Sequence, residues 1–457
     1  MTTLVLDPLT RVEGHLRIEL DIEGAVVVRA RSSGTSFRGL EKVLRGRDPR
    51  DAAHITQRIC GVCPIPHARA ACEAFEQAAR VAINTPARLV RNIVQAANFI
   101  DSHLLHFYSL SLPDYVTGWS ATGSWQERSR PHAWKGGEQL DCQQLAEHGE
   151  ASFRARRACH EIIVSLAGKM PHAPGIVPGG ATVLPSSTML AELAAVAAQI
   201  KAFVDGPYAA DMEALARAFP AYQSLGVSGT ALLSFGAFPD EDGLLLLRAG
   251  CCPSDSEAPP GLNASAITES TAHSRYAPGP SASPAASPND PAMDRAEAYS
   301  WIKAPRWAGV PCEVGPLARA VLSGRDPGSR GVMARHRARQ GEASLLAASV
   351  AAWIAQLQPS RTALPSFPIV PVSGAGAGLT EGPRGALGHW LSIEQARVSH
   401  YAVVAPTTWN ASPRDEQARA GPMERALQGV CLADPSDPIE AIRVVHSFDP
   451  CLQCAVH

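Results

Sequence analysis

Residues 58–67 read Arg58-Ile59-Cys60-Gly61-Val62-Cys63-Pro64-Ile65-Pro66-His67, a C-x-x-C pair followed by two prolines and a histidine. A second pair lies in Asp449-Pro450-Cys451-Leu452-Gln453-Cys454-Ala455-Val456-His457. Almost the whole chain separates the two pairs. They serve one site only if the fold brings the two ends of the sequence together. Four thiolates at one point suit a soft transition metal. A structural zinc tetrathiolate is the plain alternative, but such modules space their pairs by only about 15–20 residues. A thioredoxin-like redox pair is the other alternative. The remaining cysteines (Cys72, Cys142, Cys159, Cys251, Cys252, Cys312 and Cys431) show no ligand spacing and read as small buried hydrophobes.

The rest of the 457-residue chain supports a large globular fold. Hydrophobic residues make up 46% and charged residues 18%, which excludes a disordered chain. Eleven cysteines in a chain this long exclude a small disulfide scaffold. The net charge is −2, so no basic surface for nucleic acid is expected. No run of about 18 apolar residues is read, so no membrane span is expected. The start, MTTLVLDPLTRVEGH, is not read as a signal peptide. Residues 4–30 alternate apolar and polar positions and predict two or three strands, with a turn near Glu23-Gly24. Asp51 is read as the cap of a helix that ends near the first C-x-x-C. From Pro66 the spacing turns helical, and one periodic run exceeds 20 residues, the length of a bundle-core helix. Further helices are expected at 149–168, 188–217, 339–358 and 414–428. Residues 252–294 are rich in Pro, Ser and Ala and read as a surface excursion within one domain of residues 1–457.

Beyond the two cysteine motifs, other blocks follow in order: Leu9-Thr10-Arg11-Val12-Glu13-Gly14-His15, Arg38-Gly39-Leu40-Glu41 and Trp301-Ile302-Lys303-Ala304-Pro305-Arg306. Glu381-Gly382-Pro383-Arg384-Gly385-Ala386-Leu387-Gly388-His389, Pro406-Thr407-Thr408-Trp409-Asn410 and His446-Ser447-Phe448-Asp449 complete the set. Together they resemble the signature motifs of the large, catalytic subunit of nickel-iron hydrogenases, of the uptake type. The resemblance spans residues 4 to 457.

It implies an α+β fold: mostly helical, with a central bundle of long helices, small peripheral sheets, and N- and C-termini meeting at a buried metal site. It implies a nickel-iron centre whose iron carries two cyanides and one carbon monoxide. Cys60 and Cys451 would be terminal nickel thiolates, and Cys63 and Cys454 would bridge the metals. H2 would be split heterolytically and reversibly into two protons and two electrons. By the same resemblance, Glu13 is the first proton relay, and its plain alternative is a carboxylate paired with Arg11. Arg384 is the arginine poised over the metals, suggested also to act as a base. Pro383 and Thr407 line the diatomic pocket. Asp101 and Asp449 are the carboxylates around Arg384; a buried Asp needs a partner, and Arg384 is the one expected for Asp101. His67 is expected to hydrogen-bond a bridging thiolate or another group of the centre. Glu41 and His457 match the ligands of a magnesium or other divalent ion near the buried C-terminus, a hard ion suited to oxygen and water.

The chain is shorter than typical members by tens of residues. Gln453 stands where a small or apolar residue is usual. The resemblance implies an iron–sulfur small subunit as obligate partner, possibly in a dimer of heterodimers, since this chain has no cysteine cluster for an electron relay. It also implies a maturation protease if a precursor extension exists. A membrane-associated complex facing outward through the small subunit is expected, with a cytoplasmic location second. Two competitors stand beside the enzyme: an H2 sensor of slow turnover, and a homologue that has lost its metals.

Overall fold

The computed structural model describes residues 1–116, 137–252, 262–364 and 367–457. The apolar-periodic runs become the long helices, α1 (Pro64–Ala79), α2 (Thr85–Leu104), α3 (Cys142–Ala167) and α4 (Ser187–Phe203), then α5 (Pro316–Leu322) and α6 (Val332–Gln356). Helix α2 is buried along nearly its whole length. Asn84 starts it, its side chain accepting from the Ala87 N–H, with Pro86 in the first turn. It packs between α3 and α6 as the centre of the bundle. Apolar side chains from Leu9 to Val456 share one core cluster, so both ends of the sequence fold into the same interior.

Two antiparallel meanders flank the bundle. The first joins β1 (Thr2–Leu9), β2 (Leu16–Glu23) and β3 (Val26–Gly34), with its turn at Gly24-Ala25. The second joins β4 (Gly374–Gly382), β5 (Gly385–Glu394) and β6 (Arg397–Val404). Gly382 pairs with Gly385, so Pro383 and Arg384 form a two-residue hairpin tip. The strand β4 begins Gly-Ala-Gly-Ala-Gly, a poor strand signal on propensity. Its glycines serve contact instead. A Cβ on Gly376 or Gly378 would lie 2.2 Å from the Ala74 carbonyl oxygen or 1.9 Å from that of Ala70. Helix α1 therefore lies directly on β4. The helix that follows Cys63 and the strand that leads into the Pro383-Arg384 tip are thereby fixed to each other.

Several expectations are corrected. The region 414–428 is helical only at Pro422–Leu427. Asp48, not Asp51, supplies the side-chain cap before the first C-x-x-C, accepting from the Arg50 N–H. Ser187–Ala218 does contain an 18-residue window of mean hydropathy 1.3, apolar and long enough to cross a bilayer. In the fold it packs against α3 and α6. Of the 252–294 excursion, residues 253–261 lie outside the described residues. The part that follows is not all surface: Glu269, Ser287 and Asn289 are buried.

Candidate metal centre

Two pieces of chain deliver the four cysteines, and a third clasps the second of them. Cys60 and Cys63 lie at the entrance to α1, with Cys63 as the residue preceding its first turn. After α7 (Pro406–Asn410) and α8 (Ile439–Ser447), Asp449 adopts a left-handed φ of 55° and turns the chain toward Cys451. There Glu13 pairs with Cys451 in a parallel bridge: the Leu452 N–H donates to the Glu13 carbonyl at 2.6 Å. The N-terminal segment thus clasps the C-terminal one.

All four cysteines are buried, and their sulfurs lie within 4.8 Å of one another. Cys60 and Cys451 are 3.4 Å apart, Cys63 and Cys454 3.2 Å, Cys451 and Cys454 2.9 Å. None is in a disulfide. Hydrogen bonds from Cys451, then Cys454 and Cys63, pull the Cys60 thiol well below its ordinary value. Burial pushes Cys451 and Cys454 well above theirs. Four thiolates this close repel one another and are stable together only around a cation.

The surrounding side chains present donors to the same point. Cys63, Cys451, Cys454, His67, Pro383, Arg384 and Thr407 line one enclosed cavity. Arg384 donates from Nε to the Asp449 carbonyl at 2.9 Å and from Nη2 to its carboxylate at 3.0 Å. Its Nη1 is buried and has no partner among the described residues. Burial opposes the Arg384 charge, but Asp449, then Cys451, Cys63 and Cys60, outweigh it and raise its pKa. Thr407 Oγ1 accepts from the Cys451 N–H at 2.9 Å, leaving its proton to donate. A buried set of unspent donors beside four converging cysteine sulfurs fits a metal centre.

Glu13 is half-buried, and burial, then the Cys60 charge, raises its pKa. It is not Arg11's partner; Arg11 binds Asp114 and the Leu110 carbonyl. Asp101 departs from expectation. It faces α3, accepting from Arg156 Nε at 2.9 Å with His160 at 3.3 Å, and is not paired with Arg384. Among the described residues, Asp449 alone holds that arginine by a carboxylate. His67 Nδ1 meets His389 Nε2 at 3.1 Å, and His389 Nδ1 meets the Tyr401 hydroxyl at 2.7 Å. Burial lowers His67 to about 3 and His389 well below its ordinary value, so both rings are neutral.

Glu41 and His457 meet as the resemblance implies, with Nε2 and Oε1 3.3 Å apart. The Val403 N–H donates to the same oxygen at 2.7 Å. Burial opposes the Glu41 charge, but Lys303, then His457, hold its pKa below the ordinary carboxylate range. His457 Nδ1 donates to the Cys454 carbonyl at 2.6 Å. With Nδ1 committed to that carbonyl, Nε2 is the ring nitrogen left beside the Glu41 carboxylate, and the two side chains could share a cation.

One network escaped sequence reading. Arg319 on α5, fully buried, binds Glu342 through Nε and Nη2 at 2.7 and 2.6 Å and Glu381 through Nη1 at 2.6 Å. It also donates to the Gly382 and Pro383 carbonyls at 3.1 and 2.9 Å, so it holds the hairpin that carries Arg384. No spacing in the sequence joins residues on α5, α6 and β4. Burial opposes the Glu342 charge, yet Arg319, then His103, bring its pKa from 4.5 to about 2. Ionised Glu342 therefore stabilises the fold above about pH 4.5, and that contribution is lost as pH falls toward 2. A shift of that size is worth about 3 kcal/mol. Unfolding measured across pH 2–5 should show this slope in the parent and a shallower one in Glu342→Gln.

The comparisons agree with this geometry. The family described as nickel-dependent hydrogenase matches residues 38–135, 144–329 and 326–457. The chain is 37% identical to the periplasmic NiFeSe hydrogenase large subunit of Desulfomicrobium baculatum, over 99% of this chain and 94% of that one. It is 30% identical to the hydrogenase-2 large chain of Escherichia coli K12, over 99% and 97%. That alignment runs over 552 positions, so gaps absorb the shorter length of this chain. The Ni-Fe-Se hydrogenase of D. vulgaris Hildenborough, solved in the reduced state, superposes with a TM-score of 0.95 at 34% identity, covering 100% of both chains. Selenium is named for the relatives from Desulfomicrobium baculatum and D. vulgaris Hildenborough; the four residues that converge here are all cysteine. The chain belongs to the nickel-dependent hydrogenases, as a large subunit whose four-cysteine site serves the oxidation of H2.

Proposed function

We propose that the four cysteines hold a nickel-iron centre of the Fe(CN)2(CO) type, Cys60 and Cys451 binding nickel alone and Cys63 and Cys454 bridging the metals. The observation that carries this reading is the buried, unpaired Nη1 of Arg384 in the cavity that three of the thiols share. When bound, the centre supplies heterolytic cleavage of H2. The chain's residues do the rest. Arg384, clamped by Asp449, holds a charged donor over the site, while Pro383 and Thr407 shape the pocket beside it. Glu13 takes a proton from the Cys60 side and passes it outward; its raised pKa suits a group that must both accept and release one. Glu41 and His457 hold a magnesium or similar divalent ion and anchor the segment carrying Cys451 and Cys454. We assign Asp101 no contact with Arg384 and place it outside the immediate site.

We further infer one domain over residues 1–457, and an iron–sulfur small subunit that receives the electrons. A maturation protease belongs to this proposal only for a precursor longer than this sequence. The family's named relatives include a periplasmic enzyme and a quinone-reactive one from Wolinella succinogenes, which supports a membrane-associated, outward-facing complex. Nothing in the site favours the sensing alternative.

Glu13 provides the test. In Glu13→Gln the nickel content and the infrared carbonyl and cyanide bands are expected to match the parent. H2/D2 exchange with solvent is expected to fall by about 100-fold or more, the range of a lost general acid–base. Exchange at the parental rate removes Glu13 from the relay.

A further inference from the structure

The chain His67–His389–Tyr401 contains more information than its two distances. Its three members come from different elements: His67 from α1, His389 from β5 and Tyr401 from β6. All three are buried. Among the described residues, the Tyr401 hydroxyl meets only His389 Nδ1. Burial keeps the phenol protonated, and a buried hydroxyl proton without an acceptor is costly. Tyr401 therefore donates, and His389 Nδ1 accepts. A neutral imidazole carries one proton, so that of His389 sits on Nε2 and is donated to His67 Nδ1. The same count then places the His67 proton on Nε2. With Nδ1 taken by His389, Nε2 is the ring nitrogen left for the cavity that His67 lines together with Cys63, Cys451 and Cys454.

We propose that Tyr401 and His389 are positioning residues that lock His67 in its Nε2–H form, so that His67 presents a fixed donor to the thiolate cavity. Neither touches the cavity. Without the tyrosine proton, His389 Nδ1 loses its donor and both tautomers of the pair become available. In the alternative tautomer His67 turns a lone pair toward a thiolate and repels it. The lock thus sets a donor toward the thiolate cavity that His67 lines, in the way outer hydrogen bonds tune other metal sites.

This inference rests on the nickel-iron reading, and the experiment separates the two. Infrared spectra are recorded on the loaded heterodimer and on Tyr401→Phe, with nickel content measured on both. Loss of the fixed donor makes the metals more electron-rich, so the carbonyl band is expected to shift to lower wavenumber. A second preparation carries 3-fluorotyrosine at position 401, a stronger donor of nearly the same shape, and its band is expected to shift to higher wavenumber. His67→Gln retains an N–H donor that needs no tautomer lock. On that background Tyr401→Phe is expected to leave the band in place. Parental band positions in both position-401 preparations overturn the inference. Absence of carbonyl and cyanide bands from the parent overturns the nickel-iron reading instead.

Discussion

An Arg384→Lys variant is expected to oxidise H2 at least about 100-fold more slowly than the parent, the scale of losing a preorganised donor, with its nickel content unchanged. Charge is not what the substitution removes. A lysine still balances Asp449 and the nearby thiolates, so the centre should assemble. The fork is what is lost. Arg384 spends Nε and Nη2 on Asp449 and keeps Nη1 for the cavity. A single ammonium has no rigid plane with which to hold both directions at once. Turnover assayed beside nickel analysis and infrared spectra distinguishes this from simple loss of metal. Parental turnover would remove Arg384 from the chemistry.

The largest stability effect is expected at Arg319. Replacing it by methionine keeps much of the volume but leaves Glu342 and Glu381 facing each other in the interior without a cation. Removing one partner of a buried ion pair costs about 3–5 kcal/mol. The Gly382 and Pro383 carbonyls lose their donor as well. Against a total stability of about 5–15 kcal/mol for an ordinary domain, the loss is large. Chemical denaturation should show it directly. Because Arg319 holds the Pro383-Arg384 tip, the surviving folded protein should also turn over more slowly. The exposed Arg337–Glu213 pair is the control, since Arg337→Ala is expected to cost less than about 1 kcal/mol.

The sequence made one half of the site legible and concealed the other. The two C-x-x-C pairs announce a shared thiolate site because few other purposes suit them, and Glu41 with His457 followed from the motif resemblance. Asp101 shows the limit. Its burial in α2 was readable from the apolar run around it, but the side of the helix it occupies was not, and that side faces α3 and Arg156. His389 was quoted within a motif without any sign of its role, because a hydrogen bond across a strand pair to Tyr401 leaves no spacing signature. The meander β4–β6 was not anticipated either. Its Gly-Ala alternation reads poorly as strand, and its reason is the backbone of α1 lying against it.

The clasp between Glu13 and Cys451 has a consequence in time as well as in space. Cys63 and Cys454 are 391 residues apart. At about 5–20 residues added per second, translation leaves the first pair waiting about 20–80 s for the second. Throughout that interval Cys60 and Cys63 are an open two-thiol half-site, able to capture whatever soft ion arrives but unable to enclose it. Contacts of such long sequence separation also form late in folding. Fidelity toward nickel therefore cannot be set by the first pair alone. It is set when the segment carrying Cys451 and Cys454 docks against Glu13.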